Sequence, residues 1–68
     1  MVSPLYKKIA KRFVREHTDE YNTCMRLAEK AKQEGKEKQE KHWLNEAEEA
    51  ITKANYYQTL LNEQQEKN

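Results

Sequence analysis

Side chains suited to a packed face recur at steps of three and four along the first half of the chain: Tyr6, Ile9, Ala10, Phe13, Val14, His17, Tyr21, Cys24, Ala28 and Ala31. That spacing lines one side of an α-helix, whose residues advance by 100° each. Ser3 and Pro4 suit its start, because serine accepts a bond from a free first-turn N–H and proline fits the first helical position. No apolar residue occurs from Lys32 to His42, and Gly35, the single glycine, stands within that gap. Glycine readily takes the left-handed conformation that ends a helix. A second stripe follows at Trp43, Leu44, Ala47, Ala50, Ile51, Ala54, Tyr57 and Leu61, with a repeat close to the coiled-coil period.

The pattern predicts an all-α fold, an antiparallel two-helix hairpin within one domain of residues 1–68. Its helices span 4–34 and 37–64, the turn lies around Gly35, and the polar tail "NEQQEKN" frays. The hydrophilic run "EHTDEYNT" at 16–23 offers a second version, a break near Thr18 that gives three helices. The unbroken phase of the stripe through His17, Tyr21 and Cys24 favours one helix. Folding at Gly35 pairs positions whose numbers add to 71: Ala10 with Leu61, Val14 with Tyr57, His17 with Ala54, Tyr21 with Ala50, Cys24 with Ala47, Ala28 with Trp43. Large residues mostly meet small ones, as interdigitation requires.

Composition sharpens this reading. Of 68 residues, 35% are hydrophobic and 37% charged, so little can be buried. A single core of this size rarely nets more than about 3–5 kcal/mol. One partner helix cannot cover Leu5, Trp43, Leu44 and Ile51 together. Two hairpins assembling as a helical bundle, or docking on another protein, would cover them.

Charge is distributed unevenly. Residues 4–17 carry Lys7, Lys8, Lys11, Arg12 and Arg15 against the single anion Glu16, whereas 43–68 carry five anions and two cations. The hairpin sets the basic start beside the acidic half, and pairing between the helices is expected to use part of that charge. Exposed pairs are worth only about 0–1 kcal/mol, so they select orientation more than they stabilise. The same five cations, read as one face of the first helix, could instead neutralise phosphates, which makes nucleic acid an alternative partner.

Candidate chemistry is sparse. His17, Tyr21 and Cys24 share the seam, but a zinc site needs three or four convergent ligands and His42 lies near the turn. Cys24 as a nucleophile would need a base within reach, and His17 is two turns away. No phosphate-cradling loop or dinucleotide fingerprint is present. The expectation is a non-enzyme without cofactor or metal. Cys24 is the only cysteine, which suits a reducing compartment, and no apolar run is long enough to span a bilayer; the expected location is cytoplasmic. The expected function is that of a small regulator or adaptor, with inhibition within its range. It would bind a protein partner through Met25, Leu27, Trp43, Tyr56 and Leu60 and would form a homodimer.

Overall fold

A computed structural model of the chain describes residues 4–66, with side chains described through Glu63. The expected cap Ser3 lies outside the described residues. Two helices, α1 (Pro4–Gln33) and α2 (Glu37–Glu66), pack against each other as a hairpin. The particle is a rod of 50 × 15 × 12 Å. No helix among the described residues is long and apolar enough to cross a membrane.

The turn is a Schellman motif. Gly35 takes φ of +74°. Its N–H donates to the Lys32 carbonyl at 3.1 Å, and the Lys36 N–H donates to the Ala31 carbonyl at 2.8 Å. The next helix starts at once, with the Glu40 N–H donating to the Lys36 carbonyl at 2.9 Å. Lys30 and Lys32 end α1, and Glu37 and Glu40 begin α2, so each charge sign meets the helix pole that favours it. The polar run through the turn thus serves the two helix ends.

α1 passes through Thr18, Asp19, Asn22 and Thr23 without interruption, so the three-helix version is not what forms. The seam explains this, because a break would cost the phase that keeps His17, Tyr21 and Cys24 against α2. A local bond supports it: the His17 Nδ1–H donates to Glu20 Oε1 at 2.8 Å, one turn on. The helix bounds differ slightly from expectation. Glu34 belongs to the turn, while α2 continues through Asn62 to Glu66 because no breaker interrupts Thr59–Glu66.

Among the described residues the buried ones are Ala10, Ala28, Ala31, Ala47, Ala50, Ala54 and Leu61. Six of these seven are alanines, so the helices meet along a narrow line of methyl groups. Phe13, Val14, His17, Tyr21, Cys24, Trp43, Ile51 and Tyr57 flank that line and are half-buried. The register lies close to the one expected, with the rings of Phe13 and Tyr57 5.1 Å apart across the seam. Tyr57 also stacks on His17 at 6.1 Å. Tyr6, Ile9 and Leu44, expected in the stripe, are exposed. Tyr6 and Ile9 stand level with the polar end of α2 beyond Leu61, which offers no apolar group to cover them, and Leu44 lies one residue past Trp43 around α2, off the seam.

Substitutions on the seam should separate from those off it. Leu61→Ala should cost about 2–3 kcal/mol by opening a cavity, a large part of what so small a domain has. Ala50→Glu should abolish the hairpin, since it forces a charge into the methyl line. Thr52→Gln, on an exposed side chain, should stay within about 0.5 kcal/mol of wild type in thermal melts followed by helical circular dichroism.

Candidate partner-binding surfaces

The cations of the first helix do not form one uniform face. Lys7 is three residues from Ala10, turns toward the seam and is half-buried, while Lys8, Lys11, Arg12 and Arg15 are exposed. Arg12 Nε donates to Glu16 Oε1 at 2.9 Å within its own helix. Among the described residues the other side-chain contacts of this kind are the His17–Glu20 hydrogen bond and the turn pair Lys36–Glu34 at 3.2 Å. Among the described residues none joins α1 to α2, contrary to the expected cross-hairpin pairing. The reason lies in the register. Glu46, Glu48 and Glu49 sit opposite the middle of α1, and Glu63, level with its start, makes no ion pair among the described residues. Lys8, Lys11 and Arg15 therefore form an exposed row without ion-pair partners among the described residues.

The apolar candidates divide into two regions. Tyr56 and Leu60 lie near the open end of the hairpin, Trp43 toward the turn; the thirteen residues from Trp43 to Tyr56 span roughly 20 Å along α2. Tyr56 is 60% exposed, while Leu60, Leu27 and Trp43 are half-buried. Met25 and Leu44 are exposed in the turn half. The five residues expected to make one surface thus contribute to separate patches.

At the open end the apolar groups are continuous. Leu5, Ile9 and Phe13 follow at i, i+4 spacing on α1, with Tyr6 beside them. Phe13 reaches across to Tyr57, whose ring meets that of Tyr56 edge-on at 5.3 Å. Leu60 is one turn on from Tyr56. Leu5 is 66% exposed, and Tyr6 and Ile9 are exposed as well.

A second feature escaped the reading of the sequence. A groove of about 500 Å³ opens between the helices, lined by Glu16, Asp19, Glu20, Thr23, Cys24, Trp43 and Glu46. Four carboxylates thus surround an indole and a thiol. The α1 members recur at steps of three and four, and the register that sets Cys24 near Ala47 brings Glu46 alongside. That signal was legible only after the two helices were placed together. The groove is open, and among the described residues no three of His, Cys, Asp and Glu converge as a metal site.

Burial pushes the Cys24 thiol up from its ordinary value, and the charges of Glu46 and Glu20 push it the same way. A raised thiol is a weak nucleophile at neutral pH, because the thiolate is the reactive form. No family model matches the chain, and no curated protein and no solved structure does either.

The thiol environment gives a direct check. Alkylation of Cys24 in the folded protein should be slow at pH 7 and should rise only at higher pH than for a free cysteine peptide. Glu46→Gln and Glu20→Gln each remove a negative neighbour, so both should shift the rate profile toward lower pH. A profile coincident with the free peptide, measured by iodoacetamide kinetics, would contradict the burial described.

Proposed function

We propose that the chain is a small non-enzymatic regulatory or adaptor protein that self-associates and binds a protein partner through a helical surface, with inhibition of that partner within its range. One observation carries the reading. Among the described residues the buried line is six alanines and Leu61, and Leu5, Ile9, Met25, Leu44 and Tyr56 stay exposed. Burying an alanine methyl yields about 0.8 kcal/mol, against about 1.5–3 kcal/mol for a leucine, isoleucine or phenylalanine side chain. The most valuable apolar groups are thus left for contacts outside the chain. Exposed large apolar groups in contiguous patches are the mark of an interaction site. A half-buried free thiol at Cys24 fits the reducing cytoplasm.

Within this reading the two patches have different users. The open-end patch serves self-association. The turn-half residues Met25 and Leu44, with half-buried Ile51, serve the partner.

A second reading is favoured by the row Lys8, Lys11 and Arg15, which make no ion pair among the described residues. Cations on one helix face can bind phosphates by releasing counterions, with affinity that falls steeply as salt rises. Against it stands the formal net charge of only +1, since nucleic-acid-binding domains are usually strongly basic.

One experiment separates the two. The tagged chain is used to capture partners from an extract of its native host, with and without nuclease. Beside it run the folded variants Met25→Glu/Leu44→Glu and Lys8→Ala/Lys11→Ala/Arg15→Ala. The leading reading expects a specific protein that survives nuclease and is lost only with the first variant. Capture abolished by nuclease and by the cation variant would replace it with the second reading.

A further inference from the structure

Resting on the self-association reading, we infer that the occupant of the open-end patch is a second copy of this chain, joined about a two-fold axis that passes through Ile9 and Phe13. The hairpin is too extended and too exposed for its mass. A compact chain of 8.2 kDa presents about 4,500 Å² to solvent. This one presents 5677 Å². The surplus, roughly 1,200 Å², is comparable with the roughly 800 Å² that each partner loses in a standard interface. The radius of gyration agrees, at 15.4 Å where a compact chain of this length has about 11 Å. A second rod overlapping the first at their open ends would bring four helix segments together there.

The location of the exposed groups chooses the face. Among the described residues, the exposed large apolar side chains Leu5, Tyr6, Ile9 and Tyr56 lie at the open end, and Met25 and Leu44 lie in the turn half. The ring contacts from Phe13 through Tyr57 to Tyr56 tie the two helices' contributions into one surface. Such a surface is self-complementary in the sense a two-fold contact needs, because each copy offers the same patch.

Charge also permits this face. From the midline of the Ile9–Phe13 ridge, Lys11 is displaced by about 180° around α1, Arg15 by about 140° and Lys8 by about 120°. Pairing through the ridge keeps the two cation rows apart. Each row stays on the outside of the dimer, and the Met25 and Leu44 region stays open.

The test uses the whole chain in a Cys24→Ser background. Single cysteines are placed by Ile9→Cys at the proposed axis and by Leu44→Cys in the turn half, and mild oxidation follows. The proposal expects Ile9→Cys to cross-link between copies at least tenfold faster than Leu44→Cys. Ile9→Lys, at an exposed position that leaves the hairpin intact by circular dichroism, should raise the dimer dissociation constant at least tenfold in sedimentation equilibrium. Leu44→Lys should leave it within twofold. A dimer that cross-links through Leu44 and is dispersed by Leu44→Lys overturns this face while keeping self-association. A wild type that stays monomeric through the micromolar range overturns both.

Discussion

The structure depends on how closely two helices can approach when the residues between them are alanines. Six methyl groups and Leu61 form the buried line, and every bulkier side chain is placed beside it. Close approach makes the seam specific, since a methyl line tolerates neither a charge nor a larger group. It also makes the seam weak in energy, because each alanine removes little apolar area from water. The flanking Phe13, Trp43, Ile51 and Tyr57 add partial burial, and the ring contacts of Tyr57 with Phe13 and His17 hold the register at the open end. Stability is thus spread thinly along a 50 Å rod.

The turn and the helix centres are governed by the same economy of contacts. Gly35 closes α1 through a Schellman pair, and the lysines and glutamates around it sit at the favourable helix poles, so the hairpin bends with no apolar residue in the turn. In mid-helix, the poor helix formers Thr18, Asp19 and Asn22 are carried by the seam on their inner side. The bond from His17 to Glu20 adds local support. Placing polar residues there also shapes the groove in which the Glu16, Glu20 and Glu46 carboxylates face the Cys24 thiol and Trp43.

Much of this was legible from periodicity. The two stripes, the glycine between them and the phase match across the hairpin lead to the observed pairing, because a helix repeats simply and a hairpin has one free register. Exposure was less legible. Tyr6, Ile9 and Leu44 have the right spacing, yet spacing says only which direction a side chain points and not whether the facing helix covers it. Lys7 was placed on one helix face with the other four cations, but its three-residue step to Ala10 turns it toward the seam, where it is half-buried. Among the described residues no ion pair joins the basic and acidic halves, because net charge over a segment ignores position: Glu46, Glu48 and Glu49 lie opposite the middle of α1, and Glu63 alone of the described acids lies level with its start. The carboxylate groove joins residues from two helices, so no linear motif announces it. The partner patches share that property, being defined by what the alanine seam leaves uncovered.

If thin seams and uncovered flanks are two sides of one design, folding and association are linked, and the stability of the hairpin depends on its own concentration. Thermal unfolding followed by circular dichroism over a hundredfold range of protein concentration measures this directly. The account predicts a midpoint that climbs by about 5 °C for each tenfold increase, as mass action requires of a folded dimer that unfolds to separate chains of this size. A sharp, cooperative transition whose midpoint does not move with concentration would show that the alanine seam suffices alone and would contradict the account.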